Sequence, residues 1–193
     1  MLNLSSSSGS GNYIRFSPQA NAWTNSNGEE ITLKKVVFDI DNIKTGWLLL
    51  GVGVRDWVQD ESVGKKGPQP SPEHRRGFDI TLYNKEIGAA AFSSNGVGNN
   101  IMLETMYKAC AAERAANPGK LPVVEYKGSK AEKIGKGTTR IPQFVLTGWV
   151  ARPAGLDAVA EEFEAEPAAI VPLPVRKQAP VKAAVVEDDE EMF

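Results

Sequence analysis

Apolar and polar residues alternate with a period of two along several stretches of the chain, and only one stretch shows helical spacing. ITLKKVVFDID (31–41) is rich in β-branched residues and ends at Asp41-Asn42. TGWLLLGVGVRDWV (45–58) predicts one long strand. GFDITLYN (77–84) alternates cleanly and places Phe78, Ile80 and Leu82 on one face. GNNIMLETMYKACAAERAANPG (98–119) carries the helical pattern, with Asn99 or Asn100 as its cap. Leu103, Met106, Tyr107 and Cys110 form its apolar stripe, and Asn117-Pro118-Gly119 stops it. LPVVEYKG (121–128) and IPQFVLTGWVARP (141–153) predict two further strands, and YIRF (13–16) an added edge strand.

The order strand, strand, strand, helix, strand, strand is that of an OB-fold, a five-stranded Greek-key barrel. The expected fold is therefore mainly β, with one helix between strands 3 and 4 and disordered tails at both ends. The expected division is a flexible Ser/Gly segment over 1–11, a body over 12–152, a Pro/Ala-rich linker over 153–186 and an acidic tip over 187–193. Within the linker, Leu156, Val159, Ala160 and Phe163 recur at helical intervals and predict a short amphipathic helix over 156–165.

Charge divides the chain unevenly. Residues 1–150 carry 18 Lys/Arg against 14 Asp/Glu, and residues 151–193 carry 4 against 10. A basic body with an acidic tail points to a polyanion as ligand. The single cysteine, Cys110, excludes an intrachain disulfide and every multi-cysteine zinc pattern. The single histidine, His74, is expected in a solvated loop, and Cys110 as a buried helix thiol. Neither stands in a nucleophile motif, so no enzyme activity, metal or cofactor is expected. Asp39 and Asp41 are a common strand-end acidic pair. The lone Gly51-Val52-Gly53 and Gly96-Val97-Gly98 extend to no phosphate-binding fingerprint. No apolar run spans a bilayer and no secretory leader is read before the body, so the expected location is the cytoplasm.

If 45–58 is one strand, Leu48, Leu50, Val52, Val54 and Val58 face the core. Trp47, Leu49, Gly51, Gly53, Arg55 and Trp57 then face outward. Indoles beside an arginine and bare backbone suit stacked bases and nearby phosphates. Each Trp serves equally well packed under a loop or in a subunit interface, and a bulge at Gly46 or Gly51 would exchange the faces. The sequence leaves these open. Two basic loops are expected to flank the surface. VGKKGPQPSPEHRRGF (63–78) carries Lys65, Lys66, Arg75 and Arg76. YKGSKAEKIGKGTTR (126–140) carries Lys127, Lys130, Lys133, Lys136 and Arg140 on a mobile arm. Tyr83 and Tyr126 are further candidate stacking platforms.

The chain's last residues are Glu187-Asp188-Asp189-Glu190-Glu191-Met192-Phe193. Acids followed by an apolar residue suit capture by a partner, the ring entering a pocket and the carboxylates meeting basic groups at its rim. A basic, aromatic-bearing body, a Pro/Ala linker and this tip resemble the single-stranded DNA-binding proteins of bacteria and, in more detail, of phages. Met192 stands where the bacterial pattern has Pro, and the body loops are longer. The resemblance implies a protein that coats single-stranded DNA with little sequence preference in replication, recombination and repair. It also implies that residues 187–193 recruit polymerase, helicase, primase or nuclease partners and compete with DNA for the basic groove. A homodimer is compatible with it. An RNA-binding chaperone of the same fold and a phage assembly protein with an acidic docking tail are the rival readings.

Overall fold

The computed structural model describes residues 12–51 and 54–156. The Ser/Gly segment, most of the linker with its expected helix, and the acidic tip lie outside the described residues.

The described chain is mainly β with one long helix. Its elements are β1 (Arg15–Ser17), β2 (Ala22–Thr24), β3 (Glu30–Ile31), β4 (Lys35–Phe38), β5 (Lys44–Gly51), β6 (Val54–Gln59), β7 (Arg75–Asn84), β8 (Gly88–Ser94), α1 (Val97–Arg114), β9 (Lys120–Ile134) and β10 (Gly137–Ala151). A single 3-10 turn, Ile40–Asn42, separates β4 from β5. The first three strands form a small antiparallel sheet, and the other seven form a second sheet. In that sheet β7 carries β8 along one edge and both β5 and β4 along the other. β4 and β5 run the same way, end to end, as one interrupted strand. Residues 39–43 bulge out opposite only Ile80 and Thr81. β9 then pairs with β4, and β10 with β9.

Two expected strands are corrected by this topology. The 31–41 run is divided among β3, β4 and the 3-10 turn. The 45–58 run is a hairpin, because Gly51 pairs with Val54 and Leu48 with Trp57. Its alternation continues through the reversal, so the pattern alone reads as one strand. Leu50 and Val54, expected in the core, are 50% exposed, and Val58 is also exposed. β8 was not expected. Its sequence GAAAFSS has only Phe92 as a large apolar residue, and its small side chains give no visible period.

The core behaves as expected along β7, where Phe78, Ile80 and Leu82 are fully buried. Trp23, which the pattern did not single out, is its hub. Its ring lies 5.0–6.0 Å from those of Phe16, Phe92, Tyr126 and Phe144, in tilted or edge-on arrangements that suit aromatic quadrupoles. The small sheet thus packs its Phe16 and Trp23 against the core of the larger sheet. YIRF does take an edge position: Tyr13 bridges Ala91 of β8 in parallel before β1 begins.

Helix α1 starts and ends differently from expectation. Gly96 is the cap residue. Asn99 and Asn100 lie inside the first turn and bond outward, Asn99 Nδ2 to Ser94 Oγ (2.8 Å) and Asn100 Nδ2 to the Arg76 carbonyl (2.9 Å). Leu103, Met106 and Cys110 are buried, whereas Tyr107 lies on the exposed side. Burial pushes the Cys110 thiol up to about 11, with the Glu113 charge adding to the effect. The helix packs closely on β10: a Cβ at Gly98 would stand 2.8 Å from the Arg140 carbonyl oxygen.

The 3-10 turn is clamped from two sides. Arg152 donates two bonds to Asp39, at 2.9 and 2.8 Å, and Arg114 of α1 pairs with Asp41. The strand-end acids therefore fix the interruption to the helix and to the end of β10.

Candidate nucleic-acid interface

The hairpin register sorts the candidate residues onto two sides of the sheet. Paired residues in an antiparallel ladder share a face. Leu48 pairs with Trp57 on one side and Arg75 on the other. Trp57, Leu48 and Arg75 therefore form a row across three strands, with Leu48 fully buried beneath its neighbours. Arg55, one pair further along β6, points the same way. It reaches Ser93 Oγ at 3.1 Å and Asp79 Oδ2 at 3.6 Å. Arg55 pairs with Leu50, six residues along β5 from Lys44, the partner of Asp79, so the contact forms only because the β5–β6 hairpin folds back over this side of the sheet. Arg55, Trp57 and Arg75 thus line one concave face. Arg75 makes no ion pair among the described residues.

Trp47 and Arg76 pair with each other and occupy the opposite face. Trp47 is buried, so the expectation that both indoles share an outward face is corrected. Its Nε1 donates to the Gly67 carbonyl (2.9 Å). Lys66 and Arg76 lie 5.0 and 5.2 Å from its ring centre. Trp47 thereby anchors the segment 60–74, which joins β6 to β7. Arg75 and Arg76 belong to β7, not to the loop.

That loop is held by two polar clusters. Asp60, buried, accepts both Arg76 guanidinium nitrogens (2.9 and 2.6 Å), the Thr45 hydroxyl (2.7 Å) and the Gly67 N–H (3.0 Å). The Arg76 bonds, opposed only by burial, hold its carboxyl well below the usual carboxylate range. His74, expected in solvent, is 5% exposed. Its Nε2 lies 3.1 Å from Asp56 and its Nδ1 2.8 Å from Ser71 Oγ. Both ring nitrogens thus have a polar partner. Arg76 and His74 are therefore occupied in loop anchoring. Lys65 pairs with Glu61 on the exposed rim.

The second basic segment is not a loop. Strands β9 and β10 each run 15 residues, and beyond the sheet they continue as a two-stranded arm. Ile134 pairs with Gly137, leaving Gly135 and Lys136 as the turn. Gly135 has φ +61°, as the first central position of a tight primed turn favours. Ladder pairing sets Lys133 and Arg140 on one side and Lys130 on the other, with Lys136 at the tip. Lys130, Lys133 and Lys136 are exposed without ion pairs among the described residues. Lys127 pairs with Glu125 at 2.7 Å, and Arg140 donates to Ser129 (3.3 Å).

The two tyrosines are half-buried. Tyr126 packs between Trp23 and Phe144. Burial raises its phenol pKa, with the Trp23 indole and the Arg140 charge opposing. Tyr83 packs against the core cluster, and a Cβ at Gly155 would lie 2.8 Å from its ring. The acids and Phe193 of the tip lie outside the described residues. Among the described residues no group of three His, Cys, Asp or Glu side chains gathers as a metal site, and no helix is long and apolar enough to cross a membrane.

Neither a known protein family, a curated protein nor a solved structure matches the chain.

Proposed function

We propose that this chain binds single-stranded DNA through an OB-fold-like body and presents its acidic tip, residues 187–193, to partner proteins. The observation that carries the reading is the row Trp57–Leu48–Arg75 with Arg55 beside it. A base stacked on the Trp57 indole places its phosphate within two strand spacings, the span to Arg75. Stacking plus a guanidinium on the backbone binds any sequence, because every base has a π-face. The arm adds Lys130, Lys133 and Lys136 as uncommitted cations for phosphates.

The fold supports the same reading. With β4–β5 taken as one interrupted strand, the order along the sheet is β8, β7, β4–β5, β9, β10, and α1 joins β8 to β9. The β6-bearing connection and the β9–β10 arm then correspond to the two loops that flank the oligonucleotide groove of an OB-fold. No catalytic step is part of the reading.

Fluorescence titration with oligo-dT at several salt concentrations tests it. Four phosphates neutralised give a slope of log K against log salt of about −3. A flat salt dependence, or no binding at low salt, overturns the reading.

A further inference from the structure

A cleft of about 440 Å³ opens where the arm leaves the sheet, lined by Lys34, Lys35, Asn84, Lys85, Glu86, Glu125 and Tyr126. None of its three lysines was singled out from the sequence, and none makes an ion pair among the described residues. Both carboxylates must be accounted for. Glu125 is already bonded by Lys127 at 2.7 Å, and Lys127 and Lys35 together hold its carboxyl below its usual value. With Lys127 counted, four ammonium groups face the two carboxylates Glu86 and Glu125.

The backbone carrying these lysines is fixed in place. Asn84 Oδ1 accepts from the N–H groups of Glu86 (2.9 Å) and Ile87 (2.8 Å), which sets the turn bearing Lys85. Asn84 Nδ2 donates to the Lys35 carbonyl (3.2 Å), tying that turn to β4. The Lys34 carbonyl accepts from the Tyr126 N–H (2.7 Å), tying it to β9. Three strands thus converge to bring three lysines to one mouth. In the ladders Lys35 stands opposite Glu125, and Val37 opposite Tyr83. Lys35 therefore shares the face of β7 that carries Arg75 at its other end.

We infer that this cleft, held by Lys34, Lys35 and Lys85, is a second phosphate station for the same strand that stacks on Trp57. The inference rests on the proposed function and sets its extent. Arg75 and Tyr83 are eight residues apart on β7, about 26 Å at strand rise. A single strand engaged at both ends therefore spans several nucleotides, within the 4–16 found for one OB-fold. The ligand chemistry is a phosphate oxygen, and the strand backbone supplies it.

The test compares three proteins in salt titrations with a long oligo-dT: wild type, Lys34→Ala/Lys35→Ala/Lys85→Ala, and Lys130→Ala/Lys133→Ala/Lys136→Ala. Loss of three contacts to a single strand reduces the salt slope by about 2, and the cleft variant is expected to show that reduction. Lys34→Arg/Lys35→Arg/Lys85→Arg is expected to restore the slope. An unchanged slope in the cleft variant, with a reduced slope in the arm variant, overturns the second station and leaves the proposed function standing. Absence of salt-dependent binding by the wild type overturns both. Thymidine 5′-monophosphate separates the remaining source of phosphate: a strand station binds it weakly and alike in wild type and cleft variant. Binding to wild type tighter than oligo-dT, lost in the cleft variant, identifies a mononucleotide site and overturns the inference.

Discussion

Trp47 and Trp57 sit ten residues apart in one apolar run yet have opposite tasks. Trp47 is covered by Lys66 and Arg76 and bonded to Gly67, so Trp47→Ala is expected to cost about 3–5 kcal/mol of stability, read by denaturant unfolding. Trp57→Ala is expected to leave the circular dichroism spectrum unchanged and to weaken oligo-dT binding by about 1–3 kcal/mol. If Trp57→Ala binds as wild type does, that row is not a stacking platform. The same distinction applies to the charges. Asp60 is buried with Arg76, and its pKa is depressed in the fold. An unfolded aspartate titrates near pH 3.9, so the Asp60 contribution is complete above about pH 4. It fades as the pH falls below that value and the fold gives up the benefit of the ionised form. Asp60→Asn is therefore expected to lower stability by about 3 kcal/mol at pH 7, with the gap from wild type narrowing below pH 4. A gap that stays constant from pH 7 to pH 2 would refute that linkage. Residue chemistry was legible where composition decided it, as for the inert Cys110. It was not legible for Arg76 and His74, whose partners Asp60 and Asp56 are 16 and 18 residues away. Only the hairpin brings them together.

At the level of elements, the sequence showed β7 and α1 because each carries large apolar residues at the right period. It hid β8, whose alanines and serines have no contrast, and it hid the reversal between β5 and β6, where apolar alternation runs on through the turn. The arm was obscured for the opposite reason. Lys, Gly and Thr read as a polar loop, yet ladder bonds need no apolar side chains, and Gly135 supplies the positive φ that the turn requires. The contact of α1 with β10 offers a sharp check. A Cβ at Gly98 would meet the Arg140 carbonyl, a backbone atom that cannot swing aside. Gly98→Ala is thus expected to destabilise by about 1–3 kcal/mol. Since Arg140 and the arm hang on that contact, hydrogen exchange should quicken at residues 137–141 as well as in the first turn of α1. Unaltered protection there would mean that the arm is braced from elsewhere.

Over the whole molecule, residues 1–150 are basic and residues 151–193 acidic, and the proposed function makes them one electrostatic system. Residues 187–193 carry five acidic side chains, which on the proposed reading act as a polyanion for the same cations that the DNA would use. Deleting them is expected to tighten oligo-dT binding most at low salt, where screening is weakest. Equal affinity of the two proteins at low salt would leave the tip as a docking tag alone. Charge sets the acidic residues 151–193 apart from the basic residues 1–150. The contact of Arg152 with Asp39 was not legible, because the two lie 113 residues apart in the chain. That attachment also has a mechanical meaning. Arg152 follows directly from β10, which is laced to β9, and rivets that end to the interruption between β4 and β5. A pull applied there along β10 would be borne in shear by many rungs together rather than by unzipping them one at a time.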